Sequence, residues 1–196
     1  MRETFSMILV LSLICGASGY VLATLKEKTA PRIEVQELTF VKGPALATAF
    51  GSFDNDPIAE RKSVALPDGG HLLVFPARQG GKLVAVAFER FANGFGGPVG
   101  VMVGFDLAKD ALTGIGITTL HETPGVGMRV TGMGFLKQYR DHPFSGLALK
   151  SQGGDVDAVS GATISSTAVS KAVGDALATY KAIKPELLKA FSGGAA

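Results

Sequence analysis

Runs of apolar residues along this chain change period three times, and each period assigns a different kind of element. Phe5 to Leu25 (FSMILVLSLICGASGYVLATL) contains no charged residue. A helix of that length rises about 31 Å, roughly the thickness of a bilayer core, so a single transmembrane helix is expected. A cleaved signal peptide is the rival reading. Its apolar region is usually ~7–15 residues, although Ala17-Ser18-Gly19 offers the small residues a peptidase needs. Residues 26–35 are charged, contain Pro31, and are expected to form a juxtamembrane linker.

Alternation of period two follows. His71–Pro76 and Leu83–Phe88 read as strands bounded by the turn signals Pro67-Asp68-Gly69-Gly70 and Gly80-Gly81, and together they make a hairpin candidate. Val99–Asp106 and Leu112–Leu120 read as two more strands, joined through Ala108-Lys109-Asp110. Gly132–Arg140 suits a short helix. Ile164, Ala168, Val169, Ala172, Val173, Ala176, Leu177 and Tyr180 then recur near 3.6 residues per turn, one face of a longer helix. Pro185–Phe191 reads as a separate helical piece with Pro at its first turn. The sum is an α+β fold: an N-terminal anchor over residues 1–28, then one domain over residues 29–196 with an antiparallel sheet and packed helices.

Composition narrows the function classes. The formal net charge is +2, only 18% of residues are charged, and no basic block is interleaved with aromatics. Nucleic acid is therefore not an expected partner. The single cysteine, Cys15, lies inside the apolar stretch. A lone cysteine excludes an internal disulfide, a cysteine zinc site and a protein-held iron–sulfur cluster. Redox chemistry would need an organic cofactor or a partner. His71, His121 and His142 have no ligand-like spacing, and no metal site is expected. Asp54-Asn55-Asp56 precedes Pro57 and reads as a capped surface turn, lacking the rest of a calcium loop. Gly80-Gly81-Lys82-Leu83 lacks the spacing of a phosphate-binding P-loop, and no Gly-x-Ser-x-Gly elbow is present. Charge does not orient the anchor: Arg2 lies on one side, and Lys26, Lys28 and Arg32 on the other.

Three segments carry candidate chemistry. The first is Asp157-Ala158-Val159-Ser160-Gly161-Ala162-Thr163, small and polar, leading into the longer helix. Amides in a first helical turn lack internal partners, and with the helix dipole they favour a phosphate. Gly161 permits close backbone approach. The same residues would equally serve as an ordinary helix cap. The second is His121-Glu122-Thr123-Pro124-Gly125-Val126-Gly127, a Pro-Gly turn after an apolar strand. Its glycines would let backbone approach something flat, or it is a plain tight turn. The third is Gly94-Phe95-Gly96-Gly97-Pro98-Val99-Gly100. A strand and not a helix follows it, so it is a poor dinucleotide fingerprint; a structural loop is the default.

The string D-x-x-S-G-A-T resembles the flavinylation motif of the FMN-binding domain in the G subunit of the Rnf electron-transport complex. The C subunit of the sodium-translocating NADH:quinone reductase has the related domain. The resemblance extends to the family's H-x-E-T-P-G-x-G loop, here with one fewer residue between His121 and Glu122, and to its G-Y-G-G-P segment, with Phe95 in place of Tyr. Ser165 stands where the family often has Thr. The resemblance implies FMN esterified through its phosphate to Thr163 by a flavin transferase, with Asp157, Ser160, Gly161 and Ala162 as the recognition sequence. It further implies a flavin place at Glu122, Thr123, Pro124, Gly125 and Gly127, with Gly96 and Gly97 nearby. No acid–base catalytic residue is demanded, since the redox chemistry belongs to the cofactor. The implied protein is a single-pass component of the cytoplasmic (inner) membrane, its FMN domain on the extracytoplasmic side. There it would carry electrons among the membrane and redox subunits of an Rnf-type ferredoxin:NAD ion-translocating complex. Two alternatives stay open: a stand-alone extracytoplasmic flavin-bearing carrier, and an anchored non-redox ligand-binding module.

Overall fold

The computed structural model describes residues 2–67 and 69–192 of the chain. Asp68, the second residue of the expected Pro67-to-Gly70 turn, lies outside the described residues. The chain divides into two units, Met1–Phe40 and Val41–Ala196. In the first, helix α1 spans Arg2–Gln36 with no buried residue. It is long and apolar enough to cross a membrane by length and composition. The linker expected over residues 26–35 is therefore helical. Lys26, Glu27, Lys28 and Ala30 are all good helix formers, and they carry the helix through Pro31.

The second unit is built on an antiparallel meander. Strands β1 (Lys62–Ala65), β2 (His71–Gln79), β3 (Lys82–Asn93), β4 (Pro98–Asp106) and β5 (Leu112–Leu120) lie in the order β1-β2-β3-β4-β5. The expected hairpin is β2–β3. Its two-residue turn, Gly80-Gly81, has φ of +55° and +76°, the left-handed geometry that matches strand twist and that glycine adopts without strain. Both strands outrun their sequence signal because β3 is sandwiched: Ala85, Val86, Ala87 and Phe88 are all buried, so alternation disappears where both faces are covered. Pro76 sits inside β2, which is allowed because β1 pairs only as far as Val74. The Asn55 side chain takes over that edge, donating to the Pro76 carbonyl at 3.1 Å and accepting from the Arg78 amide at 2.8 Å. Asp56 caps the neighbouring turn through the amides of Ile58 and Ala59.

One face of the sheet receives helix α4, Thr163–Ser192. Ala168, Val169, Ala172, Val173, Ala176, Leu177 and Tyr180 are buried against Val86, Phe88, Val103 and Phe105. Tyr180 stacks on Phe105 with centroids 4.4 Å apart. The separate helix expected from Pro185 is instead the continuation of α4. Ile183, Leu187 and Phe191 are buried and keep the stripe in phase. Pro185 falls on the exposed side, where the carbonyl it frees reaches water; burial of the flanking residues offsets the ~3 kcal/mol cost of an interior proline.

The other face receives helix α2, Gly43–Phe50, which no periodicity in so short a segment announced. Gly104, Gly114 and Gly116 lie beneath it. A Cβ on Gly116 would come within 2.7 Å of the Ala45 Cα, and one on Gly114 within 2.9 Å of the Ala49 carbonyl oxygen. The glycines thus form a flat seat for helix backbone. The Gly132–Arg140 region is a short helix as expected, α3 (Met133–Leu136), running into a 3-10 turn at Lys137–Tyr139.

Gly116→Ala is expected to lower stability by about 1–3 kcal/mol, the cost of forcing atoms into a packed contact. Urea denaturation of the detergent-solubilised chain checks it, and an unchanged midpoint would contradict the close seat. A pH effect follows from Tyr180, whose phenol is pushed up to about 12 by burial, with Asp110 and Asp106 adding to the effect. The unfolded chain releases this proton first, near the ordinary ~10. The contribution is therefore complete below pH ~10 and is lost as pH rises through the folded value. Denaturation midpoints followed upward from about pH 9 should fall less steeply in Tyr180→Phe than in the wild type.

Candidate functional site

Three loops that are far apart in sequence converge on one cleft of ≈ 410 Å³, lined by residues from Phe95 to Ser165. The β3–β4 turn brings Phe95. The segment after β5 brings Glu122, Thr123, Val126 and Gly127, and the start of α4 brings Gly161 to Ser165. Its volume falls in the ~300–1,000 Å³ range of small-molecule sites.

Glu122 ties the first two loops together. It is buried, with 8% exposure, and its Oε1 accepts the Phe95 amide at 2.8 Å. Such approach requires glycines around it. A Cβ on Gly94 would strike Oε1, one on Gly96 would strike the His121 carbonyl, and one on Gly127 would lie 2.7 Å from Oε2 and 2.9 Å from Ser165 Oγ. Gly125 has φ +76° and Gly161 has φ +78°, both conformations that side chains resist. His121 itself is exposed.

The third loop is set by the start of α4. Thr163 is its first residue and is exposed. Ser166 is the first residue whose amide finds an acceptor one helical turn back, Ala162 O at 2.9 Å. By helix geometry the amides of Thr163, Ile164 and Ser165 have no such acceptor, which leaves donors and a favourable dipole at the cleft for a phosphate. The buried Ser166 hydroxyl reaches the other way, accepting the Val159 amide at 3.0 Å and donating to Ala162 O. It folds the loop back onto the helix.

Of the sequence-expected residues, Glu122, Thr123, Gly127, Gly161, Ala162 and Thr163 line the cleft. Gly96, Gly97, Pro124 and Gly125 do not; they shape the turns that deliver its walls. Asp157 and Ser160 line a separate hollow of ≈ 350 Å³ with Arg129 and Gln138. Four lining residues were not among the expected ones: Phe95, Val126, Ile164 and Ser165. Ile164, counted by periodicity as part of the core face, is 54% exposed, with Phe95 at 72% and Val126 at 46%. A large apolar side chain left open between glycines, as in Gly94-Phe95-Gly96, was the available signal. The cleft therefore offers an apolar rim, one buried carboxylate and a helix terminus, a set that fits a flat ring carrying polar edges and a phosphate.

The FMN-binding domain family matches residues 94–178, a range that holds all three loops. The G subunit of the ion-translocating oxidoreductase complex of Stutzerimonas stutzeri is 32% identical over 175 residues, covering 84% of this chain and 75% of that protein. The chain belongs to this G-subunit family. The corresponding protein of Yersinia pestis is likewise 32% identical, over 73% of each chain. In fold the chain is similar to a crystal structure of the C subunit of Na(+)-translocating NADH-quinone reductase from Parabacteroides distasonis. The TM-score is 0.61 at 17% identity, over 76% of this chain and 94% of that one. In this member of the G-subunit family the D-x-x-S-G-A-T string runs through the turn before α4 into its first residue, and only the last three residues of that string line the cleft.

Glu122→Ala is expected to leave the Phe95 amide unpaired and to destabilise the domain by about 1–3 kcal/mol. Glu122→Gln keeps the acceptor and should cost less. Hydrogen exchange at the Phe95 amide distinguishes them; equal protection in both variants would sever the link between the two loops.

Proposed function

We propose that this chain is a single-pass, membrane-anchored electron carrier holding FMN in the cleft, with the FMN phosphate esterified to Thr163. Residues 1–28 serve as the anchor and the rest stands outside the membrane, with the compact flavin-bearing unit beginning at Val41. Membership of the G-subunit family supports a place in an ion-translocating oxidoreductase complex. The match to the FMN-binding domain supports the cofactor. The observation that carries the site is the position of Thr163: exposed, first in α4, and on the wall of a cleft with an apolar rim.

FMN, when bound, supplies electron uptake and release. The chain's own residues do the rest. The amides at the start of α4 receive the phosphate. Gly161 and Ala162 keep bulk away from it. Phe95, Val126 and Ile164 would offer apolar surface to a ring. Glu122 holds the two walls together through the Phe95 amide. A tether through Thr163 keeps the cofactor from being lost in a compartment without FMN supply, consistent with the extracytoplasmic side that the family resemblance implies. The remaining partners are the other membrane and redox subunits of an Rnf-type ferredoxin:NAD complex, and a flavin transferase for maturation.

Co-expression with a flavin transferase should give a chain that keeps its flavin fluorescence after denaturation and gains the mass of FMN less one water. Thr163→Ala should show neither. Retention of the increment in that variant would overturn the site, and a wild-type chain that never gains flavin would overturn the function.

A further inference from the structure

Two side chains from outside the recognition segment before Thr163 bind its main chain at Asp157 and Ser160. Gln138 grips the main chain of Asp157 from both sides. The Asp157 amide donates to its Oε1 at 2.8 Å, and its Nε2 donates to the Asp157 carbonyl at 3.1 Å. Arg129 donates from Nη1 to the Ser160 carbonyl at 3.1 Å. Both come from the Gly127–Tyr139 stretch, whose Val130, Phe135, Leu136 and Tyr139 are buried in the core. Gln138 therefore works from a fixed base. The middle of the segment is held at Val159, half-buried, whose amide donates to Ser166 Oγ at 3.0 Å; on either side of it Asp157, Ala158, Ser160 and Gly161 are exposed. The Asp157 carboxylate pairs with Lys150 at 2.8 Å, but both groups are open to water, where such pairs add little.

We propose that Gln138 is a positioning residue for flavin attachment, which presents the recognition segment to the transferase in one preformed backbone geometry. The inference rests on the reading of Thr163 as the attachment site. In the transfer, the Thr163 Oγ bonds to the FMN-side phosphorus of FAD. The pyrophosphate bond breaks, AMP leaves, and the hydroxyl proton passes to solvent. A transferase that must bring Thr163 in line with that bond gains from an acceptor loop already ordered, because ordering it at each encounter costs conformational entropy.

The test is the rate of FMN incorporation into the full-length, detergent-solubilised protein, followed by intact mass with a purified flavin transferase and FAD. Gln138→Ala should be about tenfold slower, the size expected from losing one to two ordinary hydrogen bonds in the competent geometry. Gln138→Glu keeps an acceptor for the Asp157 amide and should recover part of the rate. Asn55→Ala is the control, since it removes the same two-bond grip of a side-chain amide on backbone at a remote strand edge. It should lower the melting temperature without slowing incorporation. A full rate in Gln138→Ala, or equal slowing in Asn55→Ala, overturns the inference. Labelling of the wild type and its loss in Thr163→Ala would still leave the attachment site standing. If Gln138→Ala does not fold, Gln138→Glu decides: it loses the donor to the Asp157 carbonyl and should slow incorporation several-fold, and a wild-type rate in it overturns the proposal.

Discussion

Helix α4 lies along the sheet with a stripe of mostly small residues facing β3 and β4, and this contact fixes everything that matters about the cleft. Ala168, Ala172 and Ala176 alternate with Val169, Val173 and Leu177, so the helix sits close and has little freedom to rotate or slide. Its first residue is thereby delivered to the end of the sheet where the β3–β4 turn and the segment after β5 also arrive. A shift along the axis would move Thr163 away from Phe95 and Glu122. A rotation would bury its hydroxyl.

The sheet is kept rigid from the opposite side by a different device. There the close packing comes from missing side chains, with Gly104, Gly114 and Gly116 beneath the backbone of α2. Lys42 and Glu89 form an ion pair at 3.2 Å beside this seat, and Glu89 also accepts the Thr118 hydroxyl. A thin sheet held on both faces suits a carrier. The walls of the site need to stay in place while charge on a bound group changes, and loops rooted in such a frame resist reorganisation.

Within the site, the polar and apolar parts have different origins. The carboxylate of Glu122 and the amides at the start of α4 are obligatory consequences of local structure: one pins a loop, the others are left over at a helix end. The exposed Phe95, Val126 and Ile164 satisfy no local need. Exposed together around one concavity, they mark it as a surface meant to be covered. That distinction makes the apolar rim the stronger sign of a ligand, while the motif containing Thr163 says how the ligand would be held.

The sequence by itself determined the four main strands, the Ile164–Tyr180 part of the C-terminal helix, the hydrophobic N-terminal helix and the three glycine-bearing loops. Each of these is governed by local periodicity, by turn residues or by a compact motif. Only the tertiary structure decided the rest. β1 and α2 are too short to show a period, and they exist because the sheet covers them. Pro185 reads locally as a helix start, but the buried positions on either side of it carry α4 onward. Ile164 has the phase of the core stripe yet lies beyond the sheet's cover, so it faces the cleft. The D-x-x-S-G-A-T string reads as one continuous motif, whereas the fold splits it: Asp157 and Ser160 are gripped from the Gly127–Tyr139 stretch, and Gly161 to Thr163 turn into the cleft. A side chain's environment depends on what packs over it, and that is set by contacts between residues far apart in the chain.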